Sequence, residues 1–240
     1  MSKSEIIPSA IIFKSDQQKK LFHNAEDNDI DLSDGVGQFH GIISNAKSEN
    51  EVHNFLEKYP DFLPGFTNYH LGPAARAIVT KLPLGNDFKT DFAFLAYNSM
   101  EVCLTTIEIE NPKYNIFNQN GNFSSHFNNA RQQVEDWMEW ATDNKQQAFD
   151  CFGDLGQINW NNTLTKTFKA YLVIGDSDKL ELEIEKQRWS NLQSYESKNI
   201  YIMSYRRLLQ MSSLAHILYN KRLLVCSYKN RQLYVKNVAG

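Results

Sequence analysis

Apolar positions recur along this chain in two alternating periods. In "SENEVHNFLEKYP" (48–60), Val52, Phe55 and Leu56 repeat at helical spacing. Ser48 stands where an N-cap is needed with Glu51 three residues on, and Pro60 closes the pattern, so a short helix is predicted there. Three β-rich runs follow, "RAIVTKLPL", "FKTDFAFLAYN" and "EVCLTTIEIE", the last two separated by the turn-like "NSM". The helical period returns in "FNNARQQVEDWMEWATDN", where Ala130, Val134, Trp137, Met138 and Ala141 form one stripe that should pack on the sheet. The buried-type run "AYLVIG", the charged helical stretch "DKLELEIEKQRWSNLQ", the strand "NIYIMS" and the helix-like "YRRLLQMSSLAHILYN" complete the order. Helix, three strands, helix, strand, helix, strand, helix is an α/β pattern.

The opening differs in character. "SAIIF" is compatible with a short strand, and the polar "NAEDNDIDLSDGVGQ" reads as loop. The divisions expected are an N-terminal segment over 1–45, a main domain over 46–220 and a C-terminal extension over 221–240. No apolar run is long enough to cross a bilayer and the start shows no signal-peptide pattern, so the expected location is the cytoplasm, away from the membrane. Cys103, Cys151 and Cys226 are odd in number and widely spaced, against a disulfide framework or a zinc finger. The formal charge of −3 supplies no global attraction for nucleic acid, so contact with DNA would have to be local.

Candidate chemistry gathers at the end of the third β-rich run. Side chains alternate across a strand, so Glu108 and Glu110 share one face while Ile107 and Ile109 point the other way. If the second and third runs pair, Asp91 approaches both. Three crowded carboxylates repel one another unless protonated or bridged, and hard oxygen ligands suit Mg²⁺ or Mn²⁺, with the Ile109 carbonyl a further ligand to consider. A strand-end pair of acids is otherwise a solvated edge. Gln133, on the inward stripe of its helix, is either a satisfied buried amide or a group serving the site. Glu51 reads better as a capping residue than as an accessory ligand, and His126 better as a helix-start residue than as a proton shuttle.

These residues carry a resemblance. "KTDF", "LTTIEIENPKYNIF" and "ARQQVEDWMEW", flanked by "EVHNFLEKYPDFL", "AYLVIGDSDKL" and "NIYIMSYRRLL", resemble the Shedu family. Its DUF4263 domain is a divergent PD-(D/E)xK nuclease, and the likeness spans about residues 46 to 218. It implies a restriction-endonuclease-like core, a central mixed β-sheet flanked by helices. Asp91 would be the motif aspartate and Glu108 the motif acid, while Glu110 falls where the motif lysine would stand. Gln133 and Trp137 match a Gln-x-x-x-aromatic spacing that some nucleases of that superfamily place beside the metal. A carboxylate carries no cationic donor, so Lys113 or Lys89 would substitute, Lys113 being preferred. The resemblance implies a Mg²⁺-dependent deoxyribonuclease, an anti-phage effector that acts on DNA as a homo-oligomer. The second reading is a nuclease-fold module without catalysis that binds nucleic acid or a partner protein.

Overall fold

Two of the three central runs are broken at matching points, and the break organises the sheet. In the computed structural model "RAIVTKLPL" divides into β2 (Ala77–Thr80) and β3 (Pro83–Leu84), and "FKTDFAFLAYN" into β4 (Phe88–Lys89) and β5 (Phe92–Tyr97). Lys81 interrupts the first run with a φ of 53°, a left-handed conformation. The β3–β4 hairpin turns at Gly85, whose φ of 66° suits a residue without Cβ; a Cβ there would meet the Trp140 indole at 3.0 Å. The structure describes residues 11–23, 33–65, 74–98, 100–150, 152, 165–194, 199–218, 222–230 and 232–239.

β1 (Ile11–Ile12) opens the chain, and β6 (Glu101–Ile109), β7 (Thr165–Val173), β8 (Ile200–Met203), β9 (Leu223–Lys229) and β10 (Gln232–Ala239) complete one eight-stranded sheet. The order is β1-β10-β9-β2-β5-β6-β7-β8. It is mixed: β2, β5 and β6 are antiparallel neighbours, whereas β6, β7 and β8 run parallel, as do β2 and β9. The α/β class and the central mixed sheet flanked by helices, expected from the sequence, are both present.

Seven helices are described: α1 (Asp16–His23), α2 (Ser33–Asn45), α3 (Glu49–Lys58), α4 (Ser125–Asp143), α5 (Lys145–Asp150), α6 (Glu183–Ser194) and α7 (Tyr205–Leu218). The period-2 alternation of the strands feeds two cores. Leu95, Leu104 and Leu172 join Phe127, Val134 and Trp137 of α4, Phe149 of α5 and Trp189 of α6 on one face. Phe94, Cys103 and Tyr171 join Phe39 and Ile43 of α2, Phe55 and Leu56 of α3, and Leu208 of α7 on the other. Both faces are therefore covered, as a sheet with parallel strands requires.

Several elements depart from the sequence pattern. Residues 33–38, expected in a loop, begin α2 despite Gly35 and Gly37, because the buried face of Phe39 and Ile43 outweighs low propensity. Gly35 also permits close packing, since a Cβ there would lie 3.1 Å from the Phe62 ring. Residues 24–32 lie outside the described residues, as does Cys151. The charged stretch after "AYLVIG" becomes α-helical only at Glu183, where Glu185 Oε2 accepts the Glu181 and Leu182 N–H groups at 3.2 Å each. Cys103 and Cys226 are buried free thiols. Among the described residues, no helix is long and apolar enough to cross a membrane.

Candidate functional site

The antiparallel register of β5 and β6 pairs Phe92 with Ile107 and Ala93 with Thr106. One step beyond the pairing, Asp91 reaches Glu108. The Asp91 N–H donates to the Ile107 carbonyl at 3.2 Å, and Asp91 Oδ2 accepts the Ile109 N–H at 2.8 Å. Asp91 is 3 % and Glu108 8 % exposed. Along β6, Val102, Leu104 and Glu108 share the face that meets α4. Ser124 caps that helix, its side chain accepting the Phe127 N–H at 3.2 Å. The apolar stripe of α4 then seats so that Gln133 Nε2 donates to Glu108 Oε1 at 2.8 Å. Trp137 packs in the core next to Gln133, its Nε1 buried without a hydrogen-bond partner.

Crowded carboxyls shift one another upward. Burial, the Asp91 charge and a hydrogen bond with Asp91 push the Glu108 carboxyl to about 10, with Glu110 and Glu49 adding to the effect. Glu110, half-buried at the exit of β6, is raised to about 7 by burial and then by Glu49 and Asp91. Glu49, in the first turn of α3, is raised by burial and by Asp91, against a lowering by Lys81. The Tyr205 phenol is pushed well above its ordinary value by complete burial and then by the same four acids, and its hydroxyl donates to the Glu110 carbonyl oxygen. Burial and the neighbouring carboxyls thus favour the protonated form of Glu108.

Glu49 and Tyr205 were not anticipated from the sequence. The signal for Glu49 was the Ser48 N-cap itself, which puts Glu49 at the first helical position; Glu51 instead turns back, its Oε1 accepting the Lys47 N–H at 3.2 Å. Ser48 occupies the N-cap position without a side-chain capping bond. His126, exposed in the first turn of α4, stacks on Tyr114 with ring centroids 3.9 Å apart.

The lysines are distributed unevenly about the acids. Lys113 is exposed and its Nζ lies 3.5 Å from the Asn45 carbonyl, at the end of α2. Lys89 is exposed on β4 and lines, with Phe88, Asn129, Gln132 and Gln133, a cavity of about 480 Å³ between the β3–β4 hairpin and α4. Lys81, by contrast, is ion-paired through Nζ to Asp91 Oδ1.

Donor type and number decide what cation suits this arrangement. Among the described residues, no three His, Cys, Asp or Glu side chains converge to enclose a metal ion. Asp91 and Glu108 do meet, and Mg²⁺ characteristically keeps several waters while one or two carboxylates and substrate phosphates complete its shell. The oxygen donors of this pair suit a hard divalent cation of that kind, which would oppose the burial and carboxylate repulsion that raise Glu108.

A comparison with curated proteins finds no match to this chain. A family model described as "Shedu protein SduA, C-terminal" matches residues 46–209, which include Asp91, Glu108, Glu110 and Gln133, and the chain belongs to the Shedu family.

Proposed function

We propose that this protein is a metal-dependent DNA endonuclease of anti-phage defence, with its active centre at the C-terminal end of β6. Defence is the setting that Shedu membership implies; the chemistry is argued from the site. The observation that carries the reading is the meeting of Asp91 and Glu108 under Gln133, on a sheet end that strand register builds rather than a loop. Bound there, Mg²⁺ or Mn²⁺ supplies positive charge for the developing oxyanion and lowers the pKa of an attacking water. Asp91 Oδ2 accepts the Ile109 N–H and Oδ1 is paired with the Lys81 ammonium, so a cation there would share the carboxylate with Lys81. Gln133 orients Glu108, holding the carboxyl through its Oε1. With a formal charge of −3, the protein gains a usable positive groove by assembling protomers, a homo-oligomer that mass measurement at working concentration checks.

The second reading, a nuclease fold that binds without cutting, is favoured by one observation: Glu110 stands where a lysine is usual. Cleavage of plasmid DNA by the purified protein in Mg²⁺ or Mn²⁺ separates the two. Nicking that disappears in Asp91→Ala supports the enzyme; intact plasmid at every metal concentration supports the binding module.

A further inference from the structure

We propose that Lys81 is the cationic residue of this site and contacts the scissile phosphate in place of a lysine at position 110. The inference rests on the nuclease reading of the Asp91–Glu108 pair. Its starting point is register. β2 and β5 pair Thr80 with Phe92, so Lys81 lies directly across from Asp91, and the Lys81 N–H donates to the Asp91 carbonyl at 2.9 Å. The same hairpin axis continues through Pro83 opposite Lys89.

The backbone at Lys81 is unusual for what it carries. A residue with a Cβ disfavours φ of 53°, and such conformations persist where surrounding structure over-determines them, often at functional sites. Here the cross-strand backbone bond and the Nζ contact to Asp91 Oδ1 hold the turn. The ammonium interacts electrostatically with Asp91, Glu108 and Glu49.

Access completes the argument. The Lys81 side chain is 45 % exposed while that of Asp91 is 5 % exposed. The Lys81 side chain is therefore paired through Nζ with a buried carboxylate while remaining almost half open to solvent. An ammonium carries three donors, so it can keep Asp91 and still meet a phosphate oxygen. Lys113 and Lys89 stand on other surfaces, at Asn45 and on the hairpin. Lys81 transfers no proton in this scheme. The water oxygen bonds to phosphorus, the bond to one sugar oxygen breaks, and the proton lost by the water is matched by the one the leaving oxygen gains.

The test compares wild type with Lys81→Met and Lys81→Arg in three measurements: Mn²⁺ affinity by calorimetry, single-turnover cleavage at saturating DNA, and the salt dependence of binding to a short fluorescent duplex in Ca²⁺. For Lys81→Met we expect Mn²⁺ affinity equal to or tighter than wild type, cleavage slower by about 100-fold, and a salt slope shallower by about one phosphate contact. Lys81→Arg should restore the salt slope. Wild-type cleavage and slope in Lys81→Met overturn the proposal and leave the nuclease reading standing. If wild type does not cleave with any metal, the nuclease reading fails; the Ca²⁺ salt slope still decides Lys81, a lost contact supporting it and an unchanged slope overturning it. If Lys81→Met does not fold, the ammonium resonance of Lys81 in wild type must shift when duplex is added in Ca²⁺, and a fixed resonance overturns the proposal.

Discussion

Gln133 Nε2 donates to Glu108 Oε1 across 2.8 Å, joining the middle of α4 to the end of β6. A partner that orients a metal-binding carboxylate changes activity by about 10–100-fold when removed. The loss of the same bond costs roughly 1–3 kcal/mol of stability, because a buried acceptor is left unpaired. Gln133→Ala is therefore expected to slow single-turnover cleavage well beyond what its lower melting temperature explains. Cleavage that falls only in step with stability identifies the amide as structural.

The metal pair makes a separate demand. Asp91→Asn and Glu108→Gln keep shape and remove charge, so each is expected to weaken Mn²⁺ binding by more than about 100-fold, beyond the loss of an orienting partner. Glu108→Gln should leave the metal-free fold at least as stable as wild type, since it removes a buried carboxyl that Asp91 and Glu110 disfavour in its charged form. Calorimetry with Mn²⁺ and urea denaturation in chelator measure both effects. Unchanged affinity in both variants removes the pair from the metal site.

Part of this site was legible in the sequence because strands have a strict period. Alternation predicts Glu108 and Glu110 on one face, with Glu110 one residue past the end of β6, and pairing of the second and third runs brings Asp91 to Glu108, as the observed register does. Gln133 followed from the helical stripe of α4. Lys81 did not emerge, although a hairpin centred near Gly85 and Asn86 carries the register that sets it opposite Asp91; its left-handed φ breaks the run that contains it. Glu49 comes from α3, and its approach depends on how that helix packs across the second core, which no local period reveals. β9 and β10 follow the last element read from the sequence. β9 pairs in parallel with β2 across a long separation in the chain, and such non-local pairing leaves no trace in neighbouring residues.

Glu110 gives the clearest contrast between charge and position. An unneutralised carboxylate about 4 Å from a phosphate is repelled by roughly 4 kcal/mol at an effective dielectric of 20. Substrate binding at the site is therefore expected to depend steeply on metal. Glu110→Gln should raise the Mg²⁺ concentration for half-maximal cleavage, with partial recovery at high metal, because Asp91 and Glu108 remain. Glu110→Lys should tighten DNA binding in chelator. An unchanged metal midpoint in the first variant together with unchanged chelator binding in the second would show that Glu110 acts on neither metal nor substrate.

Asp61 permits a test of the fold apart from the site. It lies in the short 3-10 turn after α3, is 4 % exposed, and its Oδ2 has no hydrogen-bond partner. Burial pushes its carboxyl from 3.8 up to about 7. The folded state therefore favours the protonated acid. Below pH about 4 the group is protonated folded and unfolded, and it costs nothing. Between pH about 4 and 7 the unfolded chain ionises while the folded chain does not, so unfolding releases a proton and stability falls with rising pH, by at most about 1.4 kcal/mol per unit. Above about 7 both forms are ionised and the penalty stays constant. Asp61→Asn removes this titration, so urea denaturation at pH 5, 6 and 7.5 is expected to show the variant gaining on wild type as pH rises, then holding its gain. Taking the difference between the two proteins cancels the slopes contributed by Glu108 and Glu110, whose raised values it leaves unchanged. Parallel stability curves across that window would place the Asp61 carboxylate in contact with solvent or a cation in the folded state.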